Sequence, residues 1–133
     1  MPLAKIHVLE GRYDERRMDK VSNAIQAGLM NTLGVPAEDF YQLVFEFSKS
    51  HFRHTPAFVG MKYSDDLIIL DITFIAGRSP ATLLALMKDI NNRVSSTAGL
   101  SPDDIFMTFY EVPGGNLSFG QGEAQRANAV IKS

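Results

Sequence analysis

Pro2, Arg12 and Arg78 are the residues whose types and positions invite chemistry. Pro2 follows Met1, and a small second residue is the usual setting for removal of the initiator. Once Met1 leaves, Pro2 carries a free secondary amine. An α-amine has an unperturbed pKa of about 7.7–8.0. Burial in an apolar pocket beside a cation disfavours the protonated form, leaving a neutral nitrogen able to act as a general base. With a normal or raised pKa the same amine is cationic, and serves as a general acid. As structure alone, Pro2 is a residue that a strand tolerates at its first position, where no ladder N–H is missed.

Arg12 closes the stretch LEGR and Arg78 closes IAGR, each between a strand-like and a helix-like segment. A guanidinium offers a planar fork to a carboxylate, and its charge depresses the pKa of a nearby amine. A cation at a helix start is mildly unfavourable, so its repetition there points to use beyond solvation. Asp39 follows Pro36 in VPAED, where it can orient a water or the Pro2 amine, or serve as a turn carboxylate like its repeat mate Asp104. Phe119, in SFG, can wall a pocket or fill a core. His51 and His54 (HFRH) are spaced as ligands but lack a third acid to match, so they read as loop residues and no metal is expected. His7 takes its place in a strand alternation without an assigned role.

These residues sit in an internal repeat. GVPAEDFYQLVFEF (34–47) aligns without gaps on GLSPDDIFMTFYEV (99–112), sharing the glycine, an acidic pair and a glutamate. With LEGR and IAGR upstream, each half reads strand, helix, strand. Asp14 and Ser79 are N-caps, Pro80 is a first-turn proline, and Gly34 and Gly99 stop the two helices. The helical faces read Met18, Val21, Ile25, Leu29, Leu33 and Leu83, Met87, Ile90, Val94. Strands are expected at Leu3–Leu9, Phe40–Phe47, Leu67–Ile75 and Ile105–Val112. The chain is thus expected to be one domain over 1–133. Its repeats run from about 2–47 and 67–112, its insert 48–66 adds a short strand, and its tail 113–133 turns back at Pro-Gly-Gly-Asn as a hairpin. The fold class is α+β: duplicated β-α-β units make a four-stranded mixed sheet with both helices on one face. Leu70, Ile72 and Phe74 suggest that the other face is too apolar to stay wet, which predicts oligomerisation through the sheet.

Composition narrows the function classes. At 133 residues, with nearly half of them hydrophobic and a net charge of −2, the chain is expected to be globular, with no basic stripe for nucleic acid. No apolar run spans a membrane and no signal peptide is expected, so the location is read as cytoplasmic. Cysteine is absent, which excludes disulfides, thiolate metal sites and thiol nucleophiles.

Read from Pro2, PLAKIHVLEGRYDE resembles the start of the 4-oxalocrotonate tautomerases. GVPAEDFYQ, AGRSP, GLSPDDI and SFGQG resemble the longer malonate semialdehyde decarboxylase-like members of the same tautomerase superfamily, which includes the migration inhibitory factor-like fold. The resemblance implies a homotrimer of duplicated units, a pocket at the amino-terminal proline, and neither cofactor nor metal. It implies a tautomerase acting on a 2-oxo acid, with Pro2 as general base, Arg12 and Arg78 on the carboxylate and the enol oxygen, and Phe119 as a wall. The alternative is a decarboxylase or hydratase of a 3-oxo acid, with cationic Pro2 and Asp39 as the central pair. A second alternative is a non-enzymatic trimeric binding module. Two positions depart from the decarboxylase pattern: Ala76 replaces the first arginine of its R-P-R turn, and Leu117 replaces a tryptophan.

Overall fold

A computed structural model of the chain describes residues 1–128. The elements are β1 (Pro2–Leu9), α1 (Glu15–Leu33), β2 (Gln42–Phe47), β3 (Ala57–Phe58), β4 (Met61–Lys62), β5 (Ile68–Ile75), α2 (Pro80–Ala98) and β6 (Ile105–Val112). The helices start and stop where local chemistry directs. The Asp14 carboxylate accepts from Arg17 N–H at 2.7 Å, and Ser79 Oγ accepts from Thr82 N–H at 3.2 Å. Gly34 and Gly99 close the helices with φ of 69°, a left-handed geometry that a Cβ would strain.

The sheet order is β2-β1-β5-β6. Within each β-α-β unit the strands are parallel, and the units meet through antiparallel β1 and β5. Both helices cover one face. Under them lie Ala4, Ile6 and Val8 of β1 and Ile68, Leu70, Ile72 and Phe74 of β5, all essentially inaccessible, against Val21, Ile25, Leu29, Leu86, Ile90 and Val94. Leu86, absent from the expected helical face, lies fully buried, while Leu83 and Met87 flank it half-buried. Burying each large aliphatic or aromatic side chain contributes about 1.5–3 kcal/mol before entropy is counted.

That packing corrects one expectation. Leu70, Ile72 and Phe74 face the helices, because they share parity and register with Ala4 and Ile6. The uncovered face instead carries Lys5, His7, Asp71 and Thr73 at its centre. There the Thr108 hydroxyl donates to Asp71, and His7 Nδ1–H donates to the Ile69 carbonyl at 2.8 Å. Leu3 and Ile69 share that face half-buried, and on the outer strands Leu43, Phe45, Phe106 and Tyr110 are exposed.

Two connections also differ from expectation. The insert forms a small separate hairpin, β3 with β4, instead of a single added strand. In the described tail no hairpin of strands forms. Asn116 N–H bonds to the Pro113 carbonyl at 2.9 Å in a single 3₁₀ turn, and a lone bridge joins Gly120 to Glu123. The tail then crosses back over Gly114 so closely that a Cβ there would lie 2.2 Å from the Arg126 carbonyl oxygen. No helix among the described residues is long and apolar enough to cross a membrane.

At the far end of β1, Asp66 gathers Arg12 (Nε, 3.0 Å) and Arg17 (3.3 Å). Arg17 also donates to the Ala98 and Gly99 carbonyls, placing a cation on the C-terminus of α2. Partial burial acts to raise the Asp66 pKa, but hydrogen bonds from Arg17 and then Arg12 outweigh it, and the carboxyl lies below the usual range. A depressed carboxyl stabilises the fold at pH values above the unfolded pKa of about 3.9, and loses that contribution as the pH falls through the folded value. Urea unfolding followed against pH should therefore show Asp66→Asn less stable than the parent at pH 7, with the gap closing below about pH 4.

Candidate active site

The register that pairs Pro2 with Phe74 sets the start of β1 beside the end of β5. Pro2 is buried there, with Met1 before it at the mouth of a cavity of about 510 Å³. The cavity wall includes Pro36, Glu38, Asp39, Tyr41, Ile75, Arg78, Phe119 and Arg126. Three bonds hold the loop that carries Asp39. Its own N–H bonds to the Pro36 carbonyl (3.0 Å), Gln26 Nε2 donates to its carbonyl (3.2 Å), and Ala4 N–H reaches the Tyr41 carbonyl (3.0 Å).

The chain's terminal ammonium donates to Asp39 Oδ2 at 2.5 Å. The other oxygen, Oδ1, is buried with no partner among the described residues. A buried acceptor left open is costly, so it marks a place where a proton donor would be welcome. Asp104, in the equivalent place of the second repeat, has both oxygens engaged: Oδ1 accepts Ser64 N–H (2.9 Å) and Oδ2 accepts Ser64 Oγ–H (2.6 Å). The same carboxylate anchors the chain entering a strand in both halves. In the first half that chain is the amino terminus, and half of the carboxylate stays free.

Arg78 leaves β5 toward the cavity. One guanidinium nitrogen donates to the Ile75 carbonyl at 3.0 Å, and the group lies 5.6 Å from the Phe74 ring centroid. Burial pushes its pKa below the ordinary arginine value, while Glu111 opposes that shift; a guanidinium so displaced still carries its charge at neutral pH. Tyr41 and Phe119 form the aromatic wall, ring centroids 6.0 Å apart.

Asp39, Arg78 and Phe119 thus line one cavity together with Met1, and Pro2 is buried next to Met1 in the chain. Arg12 does not join them within the same chain: it lies beyond the opposite end of β1, paired with Asp66. Three wall residues escaped the sequence reading. Tyr41 stands two positions after Asp39 and Glu38 one before it, so the VPAED motif had already pointed to their loop. Arg126 carried no signal at all, since the tail has no period. His51 and His54 bond to Ser48 Oγ and the Thr55 carbonyl, each at 2.8 Å, and the described residues include no cluster of acids and histidines able to hold a metal.

Comparison with known proteins places these features in a family. A family model described as tautomerase enzyme matches residues 39–120. Probable tautomerase YusQ of Bacillus subtilis (strain 168) is 30% identical over 125 residues, covering 94% of this chain and 98% of that protein. Malonate semialdehyde decarboxylase has a similar structure, with a TM-score of 0.85 at 24% identity over 92% of this chain and 94% of that one. A fused 4-OT described as a symmetric trimer gives a TM-score of 0.77 at 19% identity, covering 95% and 98%. At these identities the two solved structures speak for the fold.

The two aspartates should separate in a stability test. Asp104→Ala strips Ser64 of both bonds and should cost about 1–3 kcal/mol in urea unfolding. Asp39→Ala also removes an unsatisfied acceptor, so its cost should be clearly smaller.

Proposed function

The chain belongs to the tautomerase family, and we propose that it is a cofactor-independent tautomerase of 2-oxo acids whose general base is Pro2, freed by removal of Met1. The observation that carries this reading is the amino terminus at the cavity: Met1 lines it beside Arg78, Tyr41 and Phe119, and Pro2 is the next residue, buried at the start of β1. A neutral Pro2 nitrogen takes the enol O–H proton. The oxygen lone pair re-forms C=O, the electron pair of the C=C bond takes a proton at carbon from the prolinium, and the amine is neutral again. Atoms and electrons balance as a proton shift within the substrate. Arg78 stabilises the oxyanion that develops between the two transfers, and Tyr41 and Phe119 keep water from the site.

The reading extends to a homotrimer. Arg12 stands at the Asp66 end of its own chain and can serve a Pro2 pocket only from another copy. Exposed Leu43, Phe45, Phe106 and Tyr110 offer apolar surface for such an assembly, and the trimeric fused 4-OT shares the fold.

One observation favours a second reading, a decarboxylase or hydratase of a 3-oxo acid. The Asp39 carboxylate meets the Met1 ammonium, one residue before Pro2, and Oδ1 has no partner among the described residues, an arrangement that would suit a cationic Pro2 amine and an oriented water once Met1 is removed. Malonate semialdehyde decarboxylase, with decarboxylase and hydratase activities, shares the fold as well. Pro2 is the cationic acid in this case. A trimeric binding module without activity is favoured if Met1 is retained, because an amide nitrogen has no basicity.

Intact mass and a nitrogen-15 NMR titration of the Pro2 amine discriminate among the three. Titration below pH 7 supports the base, a cation persisting above pH 8 supports the decarboxylase, and retained Met1 supports the binding module. With phenylenolpyruvate as substrate, Pro2→Ala should lower kcat/KM by about 10²- to 10⁴-fold, the usual worth of a positioned base. Arg78→Ala should lower it by about ten- to a hundredfold or more, mainly through kcat.

A further inference from the structure

We infer that Arg126, from the C-terminal tail, is the residue that binds the substrate carboxylate, leaving Arg78 to the enol oxygen; this assignment rests on the tautomerase reading above. The charges around the cavity lead to it. Asp39 meets the Met1 ammonium, one residue before Pro2, and Glu38 adds a second carboxylate to the wall. Arg12 is held by Asp66 at the other end of β1. Arg78 and Arg126 remain, both in the cavity wall and neither in an ion pair with a described residue. The turn after β5 carries Ala76 and so presents a single guanidinium, while a 2-oxo acid brings two oxygen groups to be held, the carboxylate and the oxyanion.

The tail is built to hold a cation there. The Arg126 guanidinium lies 5.8 Å from the Phe119 ring centroid, a cation–π stack that limits its freedom at the rim. Phe119 N–H bonds to Gln125 Oε1 and Gln125 Nε2 donates to the Gly120 carbonyl, both at 3.0 Å, so the loop is tied through the neighbour of Arg126. The Arg126 backbone lies against Gly114, a contact that any larger residue at 114 would break. The loop is therefore held by Gln125 and by the glycine, and the Arg126 guanidinium has no ion-pair partner among the described residues. An arginine used this way selects acids over neutral carbonyl compounds, because its fork matches a carboxylate and an amide returns only part of that bonding.

The test measures binding and turnover separately on the full chain. Titration calorimetry compares phenylacetate with its neutral analogue phenylacetamide, and kinetics uses phenylenolpyruvate. The parent chain should prefer phenylacetate. Arg126→Ala should raise the phenylacetate Kd by about tenfold or more, leave phenylacetamide within about twofold, and raise KM more than it lowers kcat. Arg126→Lys should fall between the two, keeping the charge without the fork. Gly114→Ala, which displaces the tail backbone, should reproduce Arg126→Ala. An unchanged phenylacetate Kd in Arg126→Ala, or no preference for the acid in the parent, overturns the assignment. Carboxylate binding that depends on Arg126 in a chain without tautomerase activity rejects the tautomerase reading and retains Arg126 as the carboxylate site.

Discussion

The antiparallel register between β1 and β5 governs the arrangement of this protein. Pro2 lies opposite Phe74 and Val8 opposite Ile68, so each strand begins where the other ends. The residue that closes one half therefore meets the residue that opens the other. Arg78, after β5, arrives at the amino terminus. Arg12, after β1, arrives at Asp66 just before β5. A slip of one residue would move Ala4 and Ile6 of β1 from beneath the helices to the open face while Leu70 and Ile72 stayed, so the hydrophobic core itself enforces the register that builds the site.

Duplication within that frame has produced two ends with different duties. At the Asp66 end the charges are matched: Arg12 and Arg17 share one carboxylate, and Arg17 also closes the C-terminus of α2. At the Pro2 end they are less so: among the described residues Arg78 and Arg126 line the cavity without an ion pair, and Asp39 Oδ1 has no partner. Asp39 and Asp104 make the contrast sharp. Both fasten a chain entering a strand, yet only Asp104 is saturated. Matched charge contributes to folding; unmatched charge in a concave, partly dry place is available to a ligand.

The helices and the doubled strand-helix-strand frame were legible in the residues, as were Pro2, Asp39, Arg78 and Phe119 as candidates. Their signals are local: a capping side chain three residues from the N–H it serves, a glycine at a left-handed stop, an apolar period of three to four residues. The misreadings share a different character. Leu70, Ile72 and Phe74 alternate correctly, but alternation alone does not say which of two faces the helices will take. The Pro-Gly-Gly-Asn turn was visible, whereas its outcome depended on where the chain twelve residues later would lie against Gly114. Arg12 and Arg78 looked equivalent because the repeat makes them so in sequence, and the antiparallel pairing sends them to opposite ends of the sheet.

The sequence by itself determined the local conformations and the duplicated order of elements, because capping, glycine stops and periodicity act between residues a few positions apart. It also marked Pro2 and the two repeated arginines as candidates for chemistry. Only the tertiary structure decided that Arg78 and not Arg12 stands at the amino end of β1, that Asp39 Oδ1 has no partner among the described residues, and that Arg126 returns from the tail to the cavity wall. Those outcomes depend on strand register and on close approaches between distant segments, which are settled by burying the core as a whole and leave no mark on any short stretch of chain.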